Sequence, residues 1–453
     1  MHYTKGYKKI LRGGRKMKKL IISLLLLIIF TTGTFARSPK GSFSGVIKNS
    51  GVDVNAVAVS IKSLDSGVTV YGKNDRILMH PASVQKILTT PAAAEALGKD
   101  YMFRTKLYRR GEDSYVIKLG ADPYLRSKDL KTLTKQVKID ARKIYIDDSI
   151  TDDKTWGEGW QWDDDLNPLM PRFGAYNLDK NIAKITIMPS GTGVSALITN
   201  HSKYPFVIFN NVTTGSVNNI KIKRDSSVSA DTITFEGTIA KSATVQIPIS
   251  NLKRYYEFKL TQSLEGNKVY IKEDYIYDRV KSGDCELAEI SHPLSLVIDD
   301  ILKNSNNMAS ETIFKLAGNG TDIGGIELFN KYCAKNKLDN SNIRIVDGSG
   351  VSKNNLVTAD FVTEFLMLNR NNSVLERLPR PGEGTLSQRL LPLKDNLRAK
   401  TGTLSDISSI AGFLTSKDGK KYAFCIMIND VKLSPSDKKM LEDYILKEAY
   451  LRL

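Results

Sequence analysis

The sequence predicts an α/β fold: an antiparallel sheet flanked by helices, with strands from both chain ends and nested insertions between them, one β-rich. Three observations predict it. Asn55 to Lys62 (NAVAVSIK) and Gly67 to Tyr71 (GVTVY) read as two strands around the turn LDSG. Near the other end, AKTGTLSDISSIAGFLTSKDGKKYAFCIMIND reads as successive antiparallel strands with KDGK as a tight turn. Helices and a stretch rich in Val, Ile, Thr and Ser lie between. Two N-terminal and about three C-terminal strands make a sheet of ordinary size. The 453 residues, 41% hydrophobic, suffice for more than one core.

The first 36 residues differ from the rest. Lys18 and Lys19 precede the apolar run Leu20 to Phe30, and TTGTFA follows. This is the pattern of a secretory signal peptide, with cleavage expected after Ala36 and export to the periplasm or cell envelope. The run is short for a membrane span. Arg12-Gly13-Gly14 reads as a translated ribosome-binding sequence, which makes Met17 a candidate start. The net charge is +17, and the leader holds eight basic residues and no acids, so removing it leaves +9. A moderately basic exported chain suits an anionic envelope surface. Any membrane association is expected only through the leader or this charge. The charge is dispersed, without the basic and aromatic clustering of a nucleic-acid binder.

Pro81 is expected to open a helix carrying Ser83 and Lys86, with Pro91 kinking or interrupting it and Gly98 ending it. Residues 101–190 read as short strands and helices, including the cluster WGEGWQWDDD. Residues 191–249 are the β-rich insert, and Tyr255 to Leu264 is helical again. Helices follow Pro293. Ser436 to Leu453 is an amphipathic helix with Met440, Leu441, Tyr444, Ile445 and Leu453 as its apolar positions. Cys285, Cys333 and Cys425 give neither a disulfide framework nor metal-ligand spacing, and Cys425 in YAFCIMI reads as a core thiol. No metal or cofactor is expected.

Three short motifs carry the chemistry. In PASVQKILTT, Ser83 and Lys86 stand at i and i+3, so a nucleophile and a base share a helix face. Ser305-Asn306-Asn307 lies between helical segments. Lys400-Thr401-Gly402-Thr403 leads into a strand, where Thr401 and Thr403 share a face and could hold a carboxylate beside a lysine charge. Gly402 permits close approach of backbone or ligand. Each motif alone is weak, since Ser436 to Lys439 and Ser216 to Asn218 repeat the first two spacings. S-x-x-K, S-x-N and K-T-G in this order are the set of serine enzymes that react with penicillin. A serine hydroxyl becomes a nucleophile when a base takes its proton. An ordinary lysine, neutral in about one copy in 2,500 at pH 7, needs burial or a nearby cation to serve. Lys400 is the candidate cation.

The chain resembles the class C, low-molecular-mass penicillin-binding proteins, the D-alanyl-D-alanine carboxypeptidase/endopeptidase family. The stretches that carry the resemblance are HPASVQKILTT, GADPYL, GWQWDDD, NSNNMASE, DGSGVSKNN, GEGTLSQRL and AKTGTL, which span nearly all of the mature chain. The resemblance implies a penicillin-binding, β-lactamase/transpeptidase-like domain I over 37–100 and 285–453. Domain II, over 101–190 and 250–284, would be inserted in it, and domain III, over 191–249, in domain II. It implies Ser83 as nucleophile, Lys86 as base, Ser305 as proton relay, Asn307 as a positioner, and Lys400, Thr401 and Thr403 as carboxylate binders. The N–H groups of Ser83 and Thr403 would form the oxyanion hole. Asp164, the second residue after W-x-W, would meet the amine of a stem-peptide side chain. Lys353 stands where the family often has Arg, and is a candidate substrate contact. Peptidoglycan stem peptides are the implied substrate and β-lactams the implied covalent inhibitors. Two other classes stay open at this point: a β-lactamase-like hydrolase, which the long insertion disfavours, and an inactive wall-binding protein, which the intact motifs disfavour.

Overall fold

The structure is a computed structural model and describes residues 43–225, 229, 231–271 and 273–453. The leader expected over residues 1–36, with its candidate start at Met17, lies outside them. In chain order, α1 (Phe43–Asn49) is followed by β1 (Val57–Ser63), β2 (Thr69–Lys73) and α2 (Gln85–Leu97). Next come β3 (Met102–Arg110), β4 (Ser114–Lys118), α3 (Ser127–Leu133) and β5 (Lys143–Asp147). A β-rich run holds β6 (Ile182–Met188), β7 (Leu197–Asn200), β8 (Val207–Thr214), β9 (Asn219–Arg224), β10 (Thr232–Ile239) and β11 (Ala243–Pro248). Then follow α4 (Leu252–Glu265), β12 (Ile276–Tyr277), β13 (Cys285–Pro293), α5 (Leu294–Lys303), α6 (Asn307–Ala317), α7 (Asp322–Lys335) and α8 (Ala359–Leu368). The chain closes with β14 (Leu397–Thr403), β15 (Ile407–Thr415), β16 (Lys421–Asn429) and α9 (Pro435–Arg452).

The sheet that carries the site has the order β14-β15-β16-β1-β2, two strands from one end of the chain and three from the other, as expected. Its pairing is antiparallel, with Val57 opposite Ile428 and Thr403 opposite Ser408. Its central strands are buried on both faces. Ala58, Ala411, Cys425 and Met427 face a core shared with α2, α5, α6 and α8. Val57, Val59, Ile410, Ile426 and Ile428 face a second core closed by Leu441, Ile445 and Leu446 of α9. Burial on both faces explains why these strands are continuous apolar runs rather than alternating ones.

Two expected boundaries move. The segment from Cys285 was placed in domain I, but β13 pairs along β3 in a separate sheet of order β12-β5-β4-β3-β13. Its charged residues explain the pairing: Glu286 and Glu289 face Lys106, at 2.9 and 3.3 Å, and Glu289 also meets Arg104. The return to the catalytic sheet's helices therefore comes at Leu294. The β-rich insert starts at Ile182 rather than 191, because β6 alternates buried and exposed residues between β11 and β7. That sheet and the sheet β8-β10-β9 enclose a core of Ile185, Ile187, Val212, Ile233, Phe235 and Ile247.

Two helices also differ from expectation. Pro81 opens a short 3-10 turn, Ala82–Val84, and α2 starts only at Gln85, so Ser83 sits before the helix proper. α2 then runs through Pro91 without a break. An internal proline costs about 3 kcal/mol, but α2 is buried continuously from Gln85 to Ala94, and tertiary packing outweighs the lost hydrogen bond. Gly98 ends it with φ = +88°. In α9, Met440 and Tyr444 are half-exposed, and Leu446 and Ala449 complete the buried stripe instead. Cys425 is buried, as expected. Among the described residues, no helix is long and apolar enough to cross a membrane.

Candidate active site

The nucleophile turn is forced into shape from two sides. Ala82 has φ = +46°, an uncommon conformation for a residue with a Cβ. On one side, Ser409 Oγ of β15 donates to Pro81 O at 2.6 Å. Gly402 of β14 lies so close that a Cβ there would stand 2.8 Å from Ser83 N and 2.9 Å from Pro81 O. On the other side is the loop 347–352, where a Cβ on Gly350 would fall 1.9 Å from Ala82 O. Ser83 is thus wedged between the edge of the sheet and this loop.

Lys86 lies one turn on and is fully buried. Its Nζ is 2.8 Å from Ser83 Oγ, 2.7 Å from Asn307 Oδ1 and 2.7 Å from Ser349 O. A neutral amine has two N–H donors and one lone pair. Asn307 Oδ1 and the Ser349 carbonyl accept the two donors, which leaves the lone pair for the Ser83 hydroxyl proton. Burial pushes the Lys86 pKa down to about 7, against the opposing pull of Glu311 and Asp347. About half the molecules then hold a neutral Lys86 at pH 7. Of the two causes expected, burial is the main one, and Lys400's charge is not among those acting on Lys86. Lys400 is itself fully buried, and its pKa falls well below the usual value through burial and then through the charge on Lys86.

The two carboxylates were missed in the sequence. Glu311 is four residues after Asn307, on the same face of α6. It accepts from the backbone N–H groups of Gly348 and Ser349 at 2.9 and 2.8 Å, and so fixes the carbonyl that meets Lys86. Asp347 accepts from the N–H groups of Gly350 and Ser352 at 2.7 Å each, from Asn355 Nδ2 at 2.8 Å and from Trp160 Nε1 at 3.0 Å. Burial, then repulsion from Asp347, raises the Glu311 pKa to about 8. The available signal was two acids inside segments already singled out, though only the tertiary structure turns them toward Lys86.

β14 is the free edge of its sheet at this point. Ala399 N–H points away from β15, to Pro379 O at 3.0 Å. Peptide directions alternate along a strand, so the N–H groups of Thr401 and Thr403 point off the same edge. Lys400 Nζ donates to Thr401 O at 2.8 Å, and Thr401 Oγ1 donates to Thr385 Oγ1 at 2.7 Å, a partner the sequence did not reveal.

A cavity of about 330 Å³ opens over Ser83, lined among others by Asp164, Asn307, Lys353 and Thr403. The acidic triplet is sorted by its surroundings: Asp164 lines the cavity, Asp165 pairs with Arg224 of β9 at 2.8 Å, and Asp163 is exposed. Lys353 is not a bare surface lysine; it meets both oxygens of Asp406 at 3.2 Å. Ser305 is placed less directly. It has φ = +61° in the turn between α5 and α6, its hydroxyl has no hydrogen-bond partner among the described residues, and it is not among the residues lining the cavity. Asn307 reaches both ways, with Nδ2 donating to Leu169 O at 2.8 Å.

A hydroxyl against a buried amine tuned near neutrality, beside free backbone N–H groups and a second amine with two hydroxyls, is a site for acyl transfer. Fold and site together define a serine hydrolase of the transpeptidase-like type. The chain belongs to the D-Ala-D-Ala carboxypeptidase 3 (S13) family, which matches residues 42–448. It is accordingly a serine-type D-Ala-D-Ala carboxypeptidase. A D-alanyl-D-alanine carboxypeptidase of Actinomadura sp. (strain R39) is 25% identical over 480 residues, covering 92% of this chain and 88% of that one. The crystal structure of penicillin binding protein 4 (dacB) from Haemophilus influenzae superposes with a TM-score of 0.81 at 21% identity, covering 91% of this chain and 100% of that one. The same protein complexed with a novel β-lactam superposes at 0.75 with 21% identity, covering 90% and 99%.

Proposed function

We propose that the enzyme cleaves the terminal D-Ala-D-Ala bond of peptidoglycan stem peptides through an acyl-enzyme on Ser83. The observation that carries this reading is the contact of Lys86 Nζ with Ser83 Oγ at 2.8 Å, with both amine donors engaged elsewhere. Neutral Lys86 takes the Ser83 proton as Oγ attacks the carbonyl. The N–H groups of Ser83 and Thr403 receive the developing oxyanion, an interaction worth about 2.7–4 kcal/mol per donor. The substrate's terminal carboxylate binds Thr401, Thr403 and Lys400. Its charge favours protonated Lys400, which in turn drives Lys86 toward the neutral form. Ser305 turns inward to pass the proton to the leaving D-alanine, and water then releases the acyl group. Asp164 and Lys353, on the cavity wall, meet the rest of the stem peptide.

A β-lactam enters as a mimic of the same bond and acylates Ser83. The same acyl-enzyme serves a cross-linked stem, so defined muropeptides with mass analysis of the products would separate carboxypeptidase from endopeptidase use. The leader pattern supports export to the periplasm or cell envelope, which cell fractionation checks. The central test is Ser83→Ala. It should abolish D-alanine release and covalent penicillin labelling while the fold survives. A penicillin adduct mapped by mass spectrometry to any serine other than Ser83 would overturn the assignment.

A further inference from the structure

A second concavity is larger than the one over Ser83. It has a volume of about 570 Å³ and is walled by α3's start, the 179–184 segment, the turn after β7 and α4; it shares no lining residue with the catalytic cavity. Arg126, Lys180, Lys184 and Lys259 line it, against a single acid, Asp179. None of the four cations has an ion pair among the described residues. Asp179 is already occupied: Ser127 N donates to it at 3.0 Å, Ser127 Oγ also donates to it, and Tyr255 OH donates at 3.1 Å.

Lys259 is the unusual member. It is only 8% exposed, yet its Nζ donates to one neutral carbonyl, Ser202 O, and otherwise faces the Tyr255 and Phe258 rings at 5.5 and 5.8 Å. A buried ammonium is normally matched by a carboxylate, because burying an unmatched charge is costly. Burial lowers the Lys259 pKa; Asp179 opposes this, and Lys203 lowers it again to a smaller extent. The wall thus carries three cationic donor groups at its surface and one beneath, against the one carboxylate of Asp179.

We propose that this groove binds a ligand carrying at least two oxyanion groups, phosphate or carboxylate, with Lys259 as the anchoring cation and Lys180 and Lys184 as flanking contacts. Such a ligand supplies the counter-charge that the protein lacks at this place. Several spaced cations favour a multiply charged ligand over a single ion, because the second group binds at the effective concentration set by the first. The groove lies on the inserted units rather than on the catalytic sheet, so it can hold an anionic segment while the catalytic cavity works on a stem peptide.

The test is calorimetric titration of the full chain with inorganic phosphate and with triphosphate at fixed ionic strength. Triphosphate should bind saturably at one site and at least tenfold tighter than phosphate. Lys259→Met, and separately the surface variant Lys184→Glu, should each weaken triphosphate at least tenfold while D-alanine release stays unchanged. Lys400→Ala should leave the binding intact, which separates this groove from the carboxylate site next to Ser83. Equal affinity for phosphate and triphosphate would reduce the groove to a free-phosphate site and refute the multivalent ligand. Absence of saturable binding, or binding unaffected by Lys184→Glu in a folded protein, would overturn the proposal outright.

Discussion

At Lys86 the sign of the pH dependence follows from which form of the amine its surroundings favour. Burial favours the neutral form, and the neutral form is the base, so acylation should rise with pH along a limb centred near 7. Where it is ionised, Glu311 pulls the other way, since a nearby negative charge favours the protonated amine; its own raised pKa weakens that pull near neutrality. Glu311→Gln removes that charge and keeps one acceptor for the Gly348 and Ser349 N–H groups, its amide NH2 being a donor. Its acid limb should move below that of the wild type, read as kcat/KM against pH on a D-Ala-D-Ala peptide; a limb that stays put or moves up would mean Glu311 acts only on the loop. The same burial has a stability consequence. In the unfolded chain Lys86 binds its proton up to about pH 10.4, but in the folded chain only up to about 7. Between those values the unfolded state binds more protons, so this residue's destabilisation is complete below about pH 7 and fades as pH rises. Lys86→Met should therefore abolish activity, yet its change in Tm relative to wild type should be more favourable at pH 6 than at pH 9.5. A difference independent of pH would contradict the assigned shift.

At the scale of elements, the site depends on one strand reaching a turn that no hydrogen bond between them requires. Gly402 lets β14 lie against the Ser83 turn, and a Cβ there would meet Ser409 Oγ at 2.3 Å as well as Ser83 N at 2.8 Å. Side-chain oxygen can rotate away, but backbone nitrogen cannot. Gly402→Ala should push the strand off the turn and displace Thr403 N–H from Ser83 N–H, lowering kcat/KM at least a hundredfold, near the loss of one oxyanion donor. Tm should fall only modestly, since β14 keeps its pairing with β15. A variant with normal acylation would show that the close approach is incidental. The need for glycine here was legible in K-T-G, and so were Ser83, Lys86 and the five strands of the sheet, whose apolar runs reflect burial on both faces. β13 was misplaced because its acids, Glu286 and Glu289, meet Lys106 and Arg104 of β3, which are distant in sequence. Glu311, Asp347 and Thr385 were missed for a related reason. Nothing local separates a buried acid from a solvated one, and their roles exist only once α6, the 347–352 loop and β14 converge. Ser305 is the reverse case: its motif was clear, but its hydroxyl has no hydrogen-bond partner among the described residues.

Over the whole molecule, the inserted units reach back to the catalytic cavity. Trp160 Nε1 holds Asp347 at 3.0 Å, Leu169 O holds Asn307 at 2.8 Å, and Asp165 is tied to Arg224 of the β-rich insert at 2.8 Å. The last tie bears on the role proposed for Asp164, which stands next to Asp165 on the cavity wall. If Asp164 meets the stem-peptide amine, it makes a charge-assisted hydrogen bond of about 1.5–3 kcal/mol. Asp164→Ala should then slow cleavage of amine-bearing stems by about ten- to a hundred-fold, with acylation by a simple penicillin nearly unchanged. Arg224→Met removes the ion pair rather than the contact. It frees the Trp162–Asp164 turn to sample other positions, so the loss should be smaller, about two- to ten-fold, since orienting a group is only part of its binding. It should also appear mainly in KM. The decisive comparison is a matched pair of stems with the amine free or acetylated. Wild type should prefer the free amine, Asp164→Ala should lose the preference, and Arg224→Met should fall between them. If Arg224→Met instead lowers activity on both stems and on penicillin alike, the β-rich insert supports the cavity as a whole and does not tune its selectivity.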